Sequence, residues 1–344
     1  MVSRRDFLKN SAFSAIGWQV FWVNPSINKS PFPLTNSGSA ILGRVLYDGT
    51  AIFSQPDKES GLLITHDFND VLPLFQPLYK SKVGSKNDLW FAVEGGGYIH
   101  SKNIQVVKSV LSKPQTTISN TGQLAEITVP FSEAWPKDKE SACRNQLFFY
   151  GSTHWVYGTG RDREGKLYYL VIEDRWRDAY YVDATHLKII DDQALAPNAP
   201  EIEPDKKSIV VDTKNQLLIA YEDGNPVMIS PISSGFKSGI LNLKTPIGDH
   251  KVMYKRPSRH MVHTDKIGVN DSELYGVPWV TYFTDTGIAF HGTYWHNDYS
   301  QPRSHGCVNM PIHAARWIYL WSDPVVPPRE KTYVSKFGTR VKVI

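Results

Sequence analysis

Cysteine is nearly absent from this chain, since only Cys143 and Cys307 occur among 344 residues. Two cysteines exclude a disulfide-rich scaffold, although a single bridge between them stays open. The net charge is also small, at +4, because 38 Lys and Arg are nearly balanced by 34 Asp and Glu, and the sequence contains no run of basic residues. A nucleic-acid partner is therefore not indicated.

Aromatic residues, in contrast, are plentiful, and they make up 12% of the chain with 10 Trp and 17 Tyr. Flat aromatic side chains fit half-buried sheet surfaces, so this composition favours β structure. The length favours two or three domains over one. We therefore expect a mainly β chain that is built from several modules.

The first residues resemble an export signal. Residues 3–9 read SRRDFLK and precede a short apolar stretch at residues 13–23, which is similar to a twin-arginine leader. The stretch is short for a membrane span, and no clear cleavage site follows, so an uncleaved leader would act as an anchor. The alternative is an amphipathic helix of a cytoplasmic protein. We assign residues 1–40 to a signal and linker and expect an exported protein, periplasmic or on the cell-wall side of the membrane.

Two segments after the leader look like small β modules. Residues 41–110 hold strand-like runs such as LWFAV at 89–93, with turn residues between them. Residues 98–107, YIHSKNIQVV, resemble residues 181–190, YVDATHLKII, as an internal repeat. The pattern is similar to the end of a bacterial Src-homology-3-like barrel, and it predicts a second, weaker barrel-like module at residues 120–190. Such modules bind wall peptides or only position a catalytic domain, and the sequence leaves both roles open.

A segment rich in proline and acidic residues, 191–207, predicts an extended linker. Residues 208–344 then form the predicted catalytic domain. It begins with antiparallel strands, and a loop over residues 255–278 is expected to cover a cleft as a lid. After Pro311, apolar residues at helical spacing predict a helix that ends before Pro324.

Within this domain, one histidine and one cysteine form a candidate catalytic pair. A strand at residues 288–290 ends at His291, and a loop returns to Cys307, 16 positions later. A thiolate is the reactive form of cysteine, and an adjacent imidazole can take the thiol proton and hold the ion pair. Main-chain N–H groups of Gly306 and Cys307 are predicted to lie just ahead of the helix and to form an oxyanion hole.

These motifs together resemble the catalytic signature of the L,D-transpeptidases. HGT at residues 291–293 and SHGCVNM at residues 304–310 carry the resemblance, and TPIG at 245–248 and YGVP at 275–278 extend it. The resemblance implies that Cys307 attacks a peptidoglycan stem tetrapeptide after its third residue, a diamino acid, and that D-Ala leaves. The acyl group then passes to an amine of a second stem and forms a 3–3 cross-link. His291 would act as base and then as acid.

The resemblance also implies roles for the neighbouring residues. The main-chain carbonyl of Gly292 would orient His291, and His305 would shape the cysteine loop or contact substrate. Ser304 and Asn309 would brace that loop, and Tyr275 would line the cleft. Many members have glycine at the position of Ser300, which leaves the geometry of that turn open.

Three alternatives stay open at this point. The same site could serve an L,D-carboxypeptidase, in which water accepts the acyl group, or the chain could be a non-catalytic wall-binding protein. His291, His296 and His305 could in principle bind zinc, but no HExxH motif or paired cysteines support a metal site. No cofactor is expected, the partners are peptidoglycan stem peptides, and the sequence gives no oligomeric state.

Overall fold

The computed structural model describes residues 41–80, 88–137, 144–238, 241–263 and 272–344. The leader and Cys143 lie outside these ranges. The described residues form twenty-six β-strands and one α-helix, so the expectation of a mainly β chain is confirmed. None of the described helical segments has the length and apolar character that a membrane-spanning helix needs.

The first sheet is a seven-stranded antiparallel unit around a small apolar core. Its strands follow the order β3-β2-β6-β5-β4-β1-β7. Their bounds are β1 Ile41–Val45, β2 Thr50–Phe53, β3 Leu62–His66, β4 Val71–Lys80, β5 Leu89–Val93, β6 Tyr98–His100 and β7 Ile104–Val107.

The second sheet repeats the same strand order, β10-β9-β13-β12-β11-β8-β14, seven strands further along the chain. Its strands are β8 Gln123–Ile127, β9 Phe131–Pro136, β10 Gln146–Phe149, β11 Thr153–Arg161, β12 Leu167–Ile172, β13 Ala179–Asp183 and β14 Leu187–Ile189.

The internal repeat noted in the sequence holds at the level of single residues. His100 ends β6, and its side chain accepts a hydrogen bond from Lys102 N, which starts a 3₁₀ turn. At the aligned position, Asp183 ends β13 and accepts one from Thr185 N in the same way. Both side chains cap a turn whose first N–H groups have no partner within the turn. The limits of the two modules and their likeness to Src-homology-3 barrels stay predictions.

The remaining strands form two five-stranded sheets and a small hairpin. The third sheet has the order β17-β16-β15-β26-β20, and the fourth has the order β24-β23-β22-β21-β25. The bounds are β15 Lys207–Asp212, β16 Leu217–Glu222, β17 Asn225–Pro231, β18 Lys237–Ser238, β19 Leu241–Asn242, β20 Gly248–Lys251, β21 Tyr254–His263, β22 Ser272–Tyr282, β23 Ala289–Gly292, β24 Val308–Met310, α1 Ile312–Trp321, β25 Tyr333–Val334 and β26 Arg340–Val343.

The main apolar core lies between the third sheet, the helix α1 and one face of the fourth sheet. The helix buries Ala314, Ala315 and Ile318 there. Lys255, from β21, extends under the end of the helix and donates to the carbonyl oxygens of Tyr319 at 2.7 Å and Ser322 at 2.5 Å. The last carbonyls of a helix have no partner within it, so this buried lysine supplies one.

One expectation from the sequence needs correction. Residues 255–278 are not a loop, because β21 and β22 occupy most of them as a long hairpin; the polar side chains on one face hid the strand alternation. The segment 191–207, whose role as a linker stays a prediction, contacts the main core. Leu195 and Ala199 pack on the main core, and Asn198 N donates to Leu320 O at 3.0 Å.

Candidate active site

One face of the fourth sheet collects the catalytic candidates. β23 and β24 run parallel, with Phe290 paired to Val308 and His291 paired to Asn309. Side chains alternate between the faces of a sheet, and Phe290 and Val308 enter the main core. His291 and Asn309 therefore point to the opposite face, as does Cys307, two residues before Asn309. We call this surface the thiol face.

Cys307 lies at the start of β24, beside an apolar cluster on the thiol face. Its thiol donates to Gly287 O over 3.9 Å. Burial raises the pKa of the Cys307 thiol, and a main-chain hydrogen bond from Ala289 opposes that rise only in part. The thiol is therefore protonated near neutral pH.

His291 is buried, at 3% exposure, and its ring is held by its own strand. Nδ1 lies 3.2 Å from Gly292 O. A carbonyl oxygen can only accept, so Nδ1 carries the proton and Nε2 keeps a free electron pair. Burial lowers the pKa of His291 to about 4, although the hydrogen bond to Gly292 favours the charged ring. The imidazole is thus a neutral base at neutral pH.

These two shifts change one expectation about the catalytic pair. The sequence predicted an imidazole that holds a thiolate as an ion pair, but burial disfavours the charged form of both Cys307 and His291. The resting site therefore contains a neutral thiol and a neutral imidazole.

Gly306, directly before the cysteine, has a conformation that other residues rarely adopt. Its φ is +122°, and an added Cβ would lie 2.6 Å from Ile288 Cδ1. Its carbonyl accepts from Thr245 Oγ1 at 2.8 Å, so TPIG at residues 245–248 contributes a direct brace. The backbone of the cysteine loop is therefore fixed on both sides of the thiol.

The predicted oxyanion hole differs in its details. Gly306 N–H donates to Ser304 Oγ at 3.2 Å, and the same hydroxyl donates to Cys307 O. Both main-chain donors precede β24, and α1 begins only at Ile312. The sequence predicted that these N–H groups lie just ahead of the helix. In the structure they precede a strand instead, so the helix end does not supply them. Ser304 braces the loop, and Gly306 N–H becomes available only if that hydroxyl turns away.

Asn309 braces the loop through a second histidine. Its side-chain amide lies 2.7 Å from His296 Nε2, and its main chain bonds Ser233 in both directions at 2.9 Å. Burial lowers the pKa of His296 to about 3, so this ring is also neutral. His296 is thus a structural part of the site, which the sequence had considered only as a zinc ligand.

Two other candidates, His305 and Tyr275, contact residues other than Cys307 and His291. The His305 side chain is exposed and contacts the Phe236 ring edge-on at 5.7 Å. Tyr275 packs in the core of the second sheet, stacks on His260 at 4.0 Å and donates to Glu273 at 2.6 Å. The YGVP strip therefore contributes packing between sheets at this position, and the structure does not bring Tyr275 to Cys307.

The thiol face also contains aromatic residues that the sequence analysis missed. Tyr254 and Tyr282 stack at 4.0 Å and 12° beside Cys307, and Trp295 lies 5.7 Å from the His291 ring. Trp295 follows His291 by only four residues, so its position in the sequence could have indicated that it belongs to the site. The two tyrosines are paired across β21 and β22, and the sequence offered no comparable sign of that pairing.

The first sheet holds the loop that joins His291 to Cys307. Arg44 is buried, and its guanidinium donates to Tyr294 O at 2.5 Å, to Asn69 at 2.8 Å and to Gln105 at 2.7 Å. It also lies 4.4 Å from the centre of the Phe149 ring. A side chain from the first sheet is therefore built into the catalytic loop.

Further contacts fix the same loop from the first sheet. Asn297 donates to Ser101 O at 3.2 Å and to Ile104 O at 3.1 Å. Lys102 lies 3.2 Å from the Asp298 carboxylate. The loop thus rests on β7 and the turn before it.

The turn at Ser300 resolves another point that the sequence left open. Its φ is +71°, in the left-handed region that favours glycine. A serine in this conformation carries some backbone strain that glycine would not. The turn itself is formed, and Ser300 N donates to Ile232 O at 2.8 Å.

Metal binding has no prearranged site in the part of the chain that the structure describes. No group of three or more His, Cys, Asp or Glu side chains is arranged to hold an ion there. His291 and His296 make the hydrogen bonds given above instead.

The site thus consists of the buried His291 on one face of the fourth sheet, Cys307 directly after a positive-φ glycine, and a braced connecting loop. Residues 206–343 match the YkuD family model, the L,D-transpeptidase catalytic domain. The match covers the third and fourth sheets and the helix, and it includes both His291 and Cys307.

Solved L,D-transpeptidase structures are similar to this chain. One from Xylanimonas cellulosilytica DSM 15894 is 28% identical over 41% of this chain and 62% of its own, with a TM-score of 0.29. One from Enterococcus faecium is 24% identical over 42% of this chain and 51% of its own, with a TM-score of 0.32. The chain therefore spans less than two thirds of either. One from Mycobacterium smegmatis is 17% identical over 69% and 93%, with a TM-score of 0.33. A comparison with curated proteins returned no match.

Proposed function

We propose that this protein is a peptidoglycan L,D-transpeptidase in which Cys307 forms an acyl-enzyme. The observation that carries the proposal is the pairing of β23 with β24, which places His291 and Cys307 on one face. The match of residues 206–343 to the L,D-transpeptidase catalytic domain supports the same reaction.

In the first half-reaction, the Cys307 side chain turns from Gly287 O towards His291. Nε2 takes the thiol proton as sulfur attacks the carbonyl carbon after the third residue of the donor stem. The Cys307 N–H, joined by Gly306 N–H, stabilises the oxyanion. When the tetrahedral intermediate collapses, the C–N bond breaks, the imidazolium returns its proton to the departing amine, and D-Ala leaves.

In the second half-reaction, an amine of a second stem attacks the thioester carbonyl. His291 takes a proton from that amine, and the C–S bond breaks as the new amide forms. The sulfur recovers the proton from the imidazolium, and the product is a 3–3 cross-link. In this route the His291 imidazole carries every proton transfer, the main-chain N–H groups only stabilise the oxyanion, and no cofactor is required.

Hydrolysis is the second candidate function, because the same acyl-enzyme would react with water if no amine were bound. The half-buried position of Cys307 beside Tyr254, Tyr282 and Trp295 favours an excluded-water site and hence an amine acceptor. A purely wall-binding role does not explain why a neutral histidine is held with Nε2 free. The leader at residues 1–40, if functional, would place this activity outside the cytoplasm.

The test is product analysis by mass spectrometry with a purified disaccharide-tetrapeptide. Wild-type protein is compared with Cys307→Ala. A cross-linked dimer that has lost D-Ala, absent with the variant, is the expected result. A tripeptide product alone would replace transpeptidation with carboxypeptidase activity, and no product with either protein would contradict both.

A further inference from the structure

Two arginines lie on the thiol face at the side away from Cys307. Arg256 is paired with Val280 across β21 and β22, and Arg259 is paired with Val277. Both valines belong to the buried cluster against which Cys307 packs. Directly opposed residues of antiparallel strands project to the same face. Both arginine side chains therefore emerge on the side of the sheet that carries the thiol.

The sheet register places one of these arginines in line with the catalytic histidine. Thr281 is paired with Phe290, so the preceding residue, Val280, is next to His291 in the ladder. Arg256, Val280 and His291 thus form one row across three strands. Two strand spacings separate the first from the last, which is about 10 Å. An arginine side chain and one substrate residue can together bridge that distance.

The positive charge of the two guanidiniums is only half neutralised by their partner. A single carboxylate, Asp174 in the turn between β12 and β13, accepts from Arg259 at 2.6 Å and from Arg256 at 3.1 Å through the same oxygen. Its other oxygen accepts from His260 N at 2.7 Å. Within this group of three, two guanidiniums share one carboxylate, while the neighbouring Glu173 carboxylate bonds His260 Nδ1 at 2.8 Å. The arginine side chains remain 27% and 21% exposed.

The stacked tyrosines connect this charge to the thiol. Burial raises the pKa of both Tyr254 and Tyr282, the two arginines oppose the rise, and the Cys307 thiol adds to it. Both rings therefore lie within electrostatic range of the arginines and of the sulfur. The two tyrosine rings thus form an apolar surface between Cys307 and the two arginines. Such a surface suits a short substrate residue that ends in a negatively charged group.

We propose that Arg256 and Arg259 bind the free carboxylate of the donor's terminal D-Ala, and so select stems that end one residue after the scissile bond. This inference rests on the proposed function, because it names the donor subsite of that reaction. The D-Ala carboxylate lies one residue beyond the attacked carbonyl, or about 3.5 Å along an extended chain. A planar guanidinium can donate two parallel hydrogen bonds to a carboxylate. Asp174, in the turn between β12 and β13, holds both guanidinium groups in place. The second sheet therefore helps to form the subsite.

Binding to a protein that cannot turn over tests this assignment. Cys307→Ala is titrated calorimetrically with a tetrapeptide that ends in a free D-Ala carboxylate, and with the same peptide ending in a carboxamide. We expect the acid to bind at least about ten-fold more tightly. Adding Arg256→Gln and Arg259→Gln should reduce the acid's affinity to that of the amide and leave the amide's affinity unchanged.

The matched control is Arg329→Gln, because Arg329 forms an exposed ion pair with Asp192 away from this face. It should keep the preference for the acid. If the double variant does not fold, each single variant is measured, and each should lose part of the preference. Equal binding of acid and amide in the parent, or a preference that survives both substitutions, would overturn the assignment. The proposed reaction is tested by a different measurement, the product analysis, and the absence of product would contradict it whatever the ratio of the acid and amide affinities.

Discussion

The guanidinium of Arg44 donates a hydrogen bond to the main-chain oxygen of Tyr294 over 2.5 Å, across 250 positions of sequence. Tyr294 lies three residues after His291, and its hydroxyl donates to Tyr275 O at 2.8 Å. The first sheet and β22 therefore hold the catalytic loop from two sides. Burial lowers the pKa of Arg44 to about 10, so the guanidinium keeps its charge at neutral pH.

Replacing this arginine should slow catalysis without touching the reacting groups. Arg44→Met leaves the Tyr294 carbonyl, Asn69 and Gln105 without their donor, and each buried group left unpaired costs about 1–3 kcal/mol. We expect a lower free energy of unfolding and a loss of kcat of at least about ten-fold. Urea denaturation and steady-state kinetics measure the two effects. Arg163→Met, on an exposed turn, is the control, and equal kinetics for both variants would remove the proposed role of Arg44.

The backbone at Gly306 gives a second prediction. Gly306→Ala places a methyl group 2.6 Å from Ile288 at a φ of +122°, so the cysteine loop must shift. We expect turnover to fall at least about 100-fold, because a displacement of about 1 Å in a reacting group has an effect of that size. Gly158→Ala, where an added Cβ meets nothing within 4 Å, should retain activity. Full activity of the Gly306 variant would show that the loop geometry is not required.

The neutral pair predicts the pH dependence of acylation. With the pKa of His291 lowered to about 4 and that of Cys307 raised, neither group titrates between pH 5 and 8. Acylation by the tetrapeptide, measured by rapid quench, should therefore be nearly constant over that interval and decline only as the pH approaches about 4. A limb centred near the ordinary histidine pKa of about 6.5 would instead indicate an ion pair in the resting enzyme.

Buried histidines also predict how folding stability depends on pH. Burial lowers the pKa of His154 and His296 to about 3 and that of His291 to about 4, against about 6.5 in the unfolded chain. Below pH 6.5 the unfolded chain therefore binds protons first, and the free energy of unfolding falls as the pH decreases towards those values. Each group contributes up to about 1.4 kcal/mol per pH unit in this window.

Urea unfolding at pH 7 and pH 5 checks this dependence, and the midpoint should be lower at pH 5. His154→Gln removes one of the three groups and should narrow the difference between the two midpoints. Arg163→Met, on an exposed turn, is the control and should leave the difference as it is. Identical midpoints for the wild-type protein at both pH values would contradict the account.

From the sequence we predicted that a loop of this length brings His291 and Cys307 together, and the structure places both on one face of the fourth sheet. The parallel pairing of β23 with β24, which produces this arrangement, was not predicted. Arg44, Asp174 and the tyrosines could not be found in this way, since their partners are up to 250 positions away. Contacts of that range depend on how the modules pack, and local patterns do not encode this.

The hairpin β21–β22 shows why a strand was mistaken for a loop. On the thiol face, β21 carries the half-buried Tyr254 and Arg256 where aliphatic side chains would be expected, so the usual alternation of apolar and polar residues disappeared. Lys255, which alternates with them, is buried beneath the helix end. Polar residues on the thiol face and the buried Lys255 on the other face thus removed the sequence pattern by which the strand β21 would have been predicted.

The most direct test of the central claim is intact-mass spectrometry of the protein, quenched in acid during reaction with the tetrapeptide donor. We expect an added mass equal to that of the acyl tripeptide, with D-Ala lost. Peptide mapping should place it on Cys307, it should be absent from Cys307→Ala, and it should form slowly in His291→Asn. No covalent adduct during active turnover, or an adduct on another residue, would contradict the assignment of Cys307 as the nucleophile.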